Sequence, residues 1–187
     1  MKKQKTSQIG FDFTDYNRPK PQKKGMLWIL FLIYLAAMTW IILFKLSISV
    51  HELPDIRSIN LIPFAETLTV NGQEDWSEVI MNGVIFIPFG IYLSALFPKC
   101  SFLPKLLSFA AISFVYEACQ YAFSIGASDI TDLIANTLGG CVGVLIYALL
   151  RFILRGDRRA ITVVKVLALL ATVLMIGLIA FILIYNI

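Results

Sequence analysis

Five apolar stretches, each close to the roughly 20 residues that carry an α-helix across a ~30 Å hydrocarbon core, decide what this chain can become. They cover residues 26–46, 79–97, 103–123, 130–154 and 161–185. The expected fold is an all-α integral membrane protein, a bundle of five transmembrane helices. Composition agrees: 58% of the residues are hydrophobic and the mean hydropathy is +0.79, against about 45–50% apolar in ordinary soluble domains.

Orientation follows from the Lys and Arg count in the short flanking segments, because positive charge is retained on the cytoplasmic side. Residues 1–25 hold Lys2, Lys3, Lys5, Arg18, Lys20, Lys23 and Lys24; the second connection holds Lys99 and Lys105; the fourth holds Arg151, Arg155, Arg158, Arg159 and Lys165. The opposite side holds Lys45 and Arg57, and collects Glu52, Asp55, Glu66, Glu74, Asp75 and Glu78. The N-terminus is therefore expected in the cytoplasm and the C-terminus outside. The net charge of +4 expresses this separation and gives no reason to expect a nucleic-acid partner. Residues 1–25 have no apolar period and read as a disordered basic tail whose Lys23 and Lys24 can meet anionic lipid headgroups. The first span is too long for a signal-peptide core and no small-residue cleavage site follows, so it reads as a signal anchor. Cys100, Cys119 and Cys141 have no metal-ligand spacing and read as free thiols.

Helical spacing organises the polar residues inside the spans. Ser113, Glu117, Gln120 and Ser124 form one stripe on the third span. Asp129, Asp132 and Asn136 form another on the fourth, continued by Gly139, Gly140 and Gly143. Gly139 and Gly143 make a GxxxG pair, which lets a neighbouring backbone approach closely. With the expected topology, these groups and Asn82 of the second span share one depth near the outer surface. An ionised carboxylate facing lipid costs several kcal/mol on an order-of-magnitude basis, so the groups should face one another, a water-filled cavity or a ligand. An outward-opening acidic pocket is expected, with Asn60, Asn82, Glu117, Gln120, Asp129, Asp132 and Asn136 as its candidates. The plainer alternative, that these residues only bridge helices by hydrogen bonds, stays open.

The first external connection is expected to roof this pocket. Its residues 59–64 are too apolar for a solvated loop and too short to span, so they read as an interfacial or re-entrant piece with Pro63 stopping any helix. His51, Arg57 and Glu66 flank it. Pro88 should kink the second span and free a carbonyl, shaping the cavity or serving packing.

At these residues the chain resembles a known family. Asn60-Leu61-Ile62-Pro63-Phe64, Asn82 with Phe86-Ile87-Pro88-Phe89-Gly90, Glu117-x-x-Gln120, and Asp129-Ile130-Thr131-Asp132 leading into Asn136-Thr137-Leu138-Gly139-Gly140 occur in the order and approximate spacing of the VanZ-like membrane proteins. The similarity covers about residues 26–155, read as one membrane domain with spans near 26–46, 79–97, 103–123 and 130–154; residues 161–185 stand apart as a fifth helix. The resemblance implies a multi-pass protein of the bacterial plasma membrane and a role in resistance to teicoplanin-type lipoglycopeptides or in cell-envelope homeostasis. Many members carry an Arg shortly before the aspartate motif, where this chain has Gly126-Ala127-Ser128.

Two classes of function follow. One is a non-enzymatic protein that binds an antibiotic or a cell-wall precursor at the outer leaflet. The other is a membrane enzyme acting on a lipid-linked envelope intermediate, with Glu117 or Asp132 as general base. No nucleophile motif, metal set or phosphate loop is present in the sequence, so binding is the preferred reading. No cofactor and no metal are implied; the expected partners are membrane lipid and the lipoglycopeptide or precursor. An ion pathway would need polar residues through the full thickness, and the inner halves are apolar and glycine-rich.

Overall fold

Hydrophobicity sustained over 18 residues or more builds helices here. They are α1 (Gly25–Phe44), α2 (Ser77–Leu96), α3 (Phe102–Phe123), α4 (Ile130–Ile153) and α5 (Asp157–Tyr185). All five are long and apolar enough to cross a membrane. The computed structural model describes residues 23–44, 58–64, 68–70, 73–126 and 128–185. The expectations for residues 1–22 and for Lys45, His51, Glu52, Asp55, Arg57 and Glu66 lie outside these residues.

The molecule is apolar on its outside, as a bilayer solvent requires. Leu32, Leu107, Phe114, Phe123, Leu145, Phe152 and Leu174 are all exposed. Its interior is aromatic instead. Phe31 of α1 stacks on Phe89 of α2 at 5.8 Å, and Phe89 meets Phe109 of α3 edge-on at 5.4 Å.

Glycine sets the central helix pair. A Cβ on Gly139 would overlap the Gly83 carbonyl, one on Gly143 the Ile87 carbonyl, and one on Gly90 the Gly140 carbonyl. α2 and α4 thus pack backbone to backbone, with the GxxxG pair of α4 meeting two α2 glycines spaced seven apart. Gly140 faces α3, where a Cβ would stand 2.5 Å from the Phe109 ring. Without a hydrophobic driving force between helices in lipid, such close van der Waals contact is what holds a bundle together.

Two features depart from the sequence reading. Short strands lie in the connections: β1 (Ile59–Asn60) pairs in parallel with β4 (Ser128–Asp129), and β2 (Leu68–Val70) pairs antiparallel with β3 (Gln73–Asp75). The Asn71-Gly72 dipeptide between β2 and β3 is a strong hairpin signal that helix-period reading passes over. Second, α5 starts at Asp157 rather than residue 161. Leu154 ends α4, and Arg155 (φ 54°) and Gly156 (φ 153°) reverse the chain at once. Asp157 then stands in the first turn of α5, where the helix dipole favours a carboxylate, and pairs with Arg151 at 3.0 Å.

The two ends of the bundle carry opposite charge among the described residues. Lys23, Lys24, Lys99, Lys105, Arg151, Arg155, Arg158, Arg159 and Lys165 gather at one end with Asp157. Glu78, Glu117, Asp129 and Asp132 gather toward the other. At the basic end the Lys24 ammonium donates to the Ala95 and Leu96 carbonyls at 3.0 and 2.6 Å, satisfying acceptors that the end of α2 leaves open.

Candidate functional site

The site is organised by the connection between α3 and α4. Ser124 ends α3 in the left-handed conformation (φ 56°), and the Ile125 N–H turns back to the Gln120 carbonyl at 3.0 Å. The chain then extends through β4 into Asp129, the N-cap of α4. One Asp129 oxygen accepts from the Thr131 N–H at 2.7 Å and the other from the Asn60 side-chain amide at 3.2 Å. The Asn60 side-chain oxygen in turn accepts from the Ile62 N–H at 3.0 Å, an Asx turn. The Phe64 N–H donates to the Thr131 hydroxyl at 2.9 Å. Residues 58–64 are thereby fastened to the N-terminus of α4 as a strand and turn, with Leu61, Ile62 and Phe64 exposed. These are the residues expected from the sequence as an interfacial or re-entrant piece.

Glu117 is buried (5% exposed), and its Oε2 accepts from the Asp129 N–H at 2.8 Å. A backbone donor thus meets the carboxylate. Four helices close around a cavity of about 210 Å³ on the other side of Glu117. Its lining includes Ile42 from α1, Glu78 and Asn82 from α2, Glu117 and Gln120 from α3, and Asp132 and Asn136 from α4. Five of the seven expected residues therefore share one cavity. Asn60 and Asp129 do not. They border a separate cavity of about 250 Å³ against Phe114, Tyr121 and Leu133, and Glu117 alone of the seven touches both. The single pocket expected from sequence is divided because the Asp129 carboxylate is committed to capping α4 and holding Asn60.

Two amide side chains in the wall of the central cavity each have an oxygen left over. Gln120 donates through Nε2 to the Ile42 carbonyl at 3.1 Å, and Asn136 through Nδ2 to the Ser113 hydroxyl at 2.9 Å. Both residues are buried, and Gln120 Oε1 and Asn136 Oδ1 have no hydrogen-bond partner among the described residues. The Ile42 carbonyl can only accept, which fixes the Gln120 amide with its oxygen left over. A buried acceptor left without a donor costs about 1–3 kcal/mol. With the carboxylates of Glu117 and Asp132 in the same lining, and no Lys or Arg there among the described residues, the cavity is complementary to a group rich in N–H, an ammonium above all. Among the described residues no group of three or more His, Cys, Asp or Glu is placed to hold a metal ion.

Sequence reasoning missed three contributors. The Ile42 carbonyl has no sequence signal. Glu78, assigned to the external connection, lies in the first turn of α2 and lines the cavity. Thr131, 2% exposed, was legible, because an aspartate just before an apolar periodic run marks a helix start whose next residues face the cap. Pro88 borders a different, apolar cavity of about 330 Å³ that includes Tyr34, Tyr92, Tyr147 and Val164.

A helical membrane bundle with a polar cavity among four of its helices defines the class, and comparison with known proteins supplies the family; residues 59–61, expected to roof this cavity, border the separate one instead. The VanZ/LLP1 family model matches residues 31–151, and the chain belongs to that family. It is 40% identical over 119 residues to Protein VanZ of Enterococcus faecium, an overlap covering 63% of this chain and 70% of the relative. No solved structure matches it significantly. The matched region contains every candidate residue of the central cavity; α5 lies outside it.

Proposed function

We propose that this chain is a VanZ-like protein of the bacterial plasma membrane that lowers susceptibility to teicoplanin-type lipoglycopeptides by binding an amino-bearing amphiphile at the outer leaflet. The observation that carries this reading is the gathering of the Glu117 and Asp132 carboxylates around one cavity with Gln120, whose Oε1 has no hydrogen-bond partner among the described residues. A glycopeptide bearing an acyl chain partitions into the outer leaflet, gaining about 0.8 kcal/mol per buried CH₂. It is thereby concentrated at the depth of the cavity, and its amino groups are drawn to the carboxylates. The acidic end of the bundle faces outward in this account, consistent with the basic character of the opposite end.

Matched dose series in a susceptible Gram-positive host test the proposal. Expression of the chain raises the inhibitory concentration of a lipidated glycopeptide more than that of its unlipidated core. Glu117→Gln, at equal membrane abundance, removes the difference. Equal protection against the two drugs contradicts recognition at the membrane surface and points instead to altered target synthesis.

A further inference from the structure

At the basic end, a further cavity of about 640 Å³ opens between the ends of α2, α3 and α4. Lys105, Arg151 and Arg155 line it together with Ser94 and Tyr147. Lys105 is 8% exposed, and among the described residues its ammonium has only the Ser94 hydroxyl as a hydrogen-bond acceptor, at 3.4 Å. A buried ammonium with one long, neutral partner is an incomplete arrangement. Arg151 is paired with Asp157 at 3.0 Å, while Arg155 has no ion pair among the described residues. Two positive charges therefore remain over in the cavity.

The backbone holds Arg155 there against its own preference. Its φ of 54° is the left-handed position after a helix that glycine ordinarily takes. Unfavourable geometry of this kind is tolerated where the side chain has a use. Tyr147 lines both this cavity and the apolar one of about 330 Å³, so a charged chamber adjoins a hydrocarbon-like one across a single side chain.

We infer that the basic cavity is a binding site for an anionic phospholipid, its phosphate held by Lys105 and Arg155 and an acyl chain lying in the apolar cavity beyond Tyr147. The full chain, purified in detergent and exposed to phosphatidylglycerol or phosphatidylcholine, tests this by native mass spectrometry of retained lipid. Phosphatidylglycerol is retained preferentially, and Arg155→Gly and Lys105→Met each weaken that retention about fivefold, the effect of one cation near a lipid surface. Arg155→Gly relieves the left-handed strain, so its melting temperature does not fall and its lost binding is not a loss of fold. Arg159→Gln, at the same end but outside the cavity, leaves retention unchanged. Equal retention of the two lipids, an unchanged Arg155→Gly variant, or an Arg159→Gln loss as large as that of Lys105→Met overturns the assignment. So does full displacement of bound lipid by equimolar inorganic phosphate, which would make a soluble phosphate the ligand.

Discussion

Asp129 joins three segments through its side chain and its backbone N–H. Its carboxylate caps α4 and holds Asn60, while its backbone N–H is the donor to Glu117. Replacing an N-cap aspartate by alanine costs about 1 kcal/mol, whereas asparagine keeps the cap almost fully. Asp129→Ala is therefore expected to lower the unfolding free energy of the detergent-solubilised protein by at least about that amount. Asp129→Asn keeps the cap oxygen for Thr131 but turns an amide NH₂ toward the Asn60 amide, so it should fall between the parent and Asp129→Ala. Thermal or denaturant unfolding of the two variants side by side checks this; equal destabilisation would mean that the link to Asn60, rather than the cap, is what matters. Glu117 and Asp132 are distinct in kind, because they border the central cavity, and their loss should register in recognition before stability.

Among the elements, α2 and α4 form the axis on which the site depends, and glycine makes it possible. Gly139→Leu places a side chain where the Gly83 carbonyl stands, a clash that only separation of the helices relieves. Gly177 of α5 has nothing within 4 Å of a Cβ position. Gly139→Leu is expected to abolish folded, monodisperse protein, and Gly177→Leu to leave its yield unchanged; size-exclusion chromatography after extraction reads both. The helices were legible because hydrocarbon demands long apolar runs, and the stripes of Glu117, Gln120 and Asn136 because period and the cost of a polar group in lipid together admit one buried face. The partner of the GxxxG pair was not legible, since nothing in Gly83 or Gly90 says which helix they meet. Neither was the division of the pocket. That depends on the Asp129 carboxylate finding Asn60 across 69 positions of chain, a pairing with no local signature.

For the molecule as a whole, the proposed function depends on which end of the bundle faces outward. The account requires the basic end in the cytoplasm. A reporter fluorescent only in the cytoplasm should light when fused after Arg159 and stay dark when fused after Ile187. A bright fusion at Ile187 would bring the C-terminus inside and remove the basis for an outward acidic cavity. The central claim, recognition of an amino-bearing amphiphile by the cavity that Glu117 and Asp132 line, is tested most directly by binding. The full chain in nanodiscs of fixed lipid composition should bind a lipidated glycopeptide saturably, and Glu117→Gln with Asp132→Asn should weaken binding by tenfold or more, about 1.4 kcal/mol, without changing the melting temperature. Identical affinity for the parent and the double variant would contradict the claim.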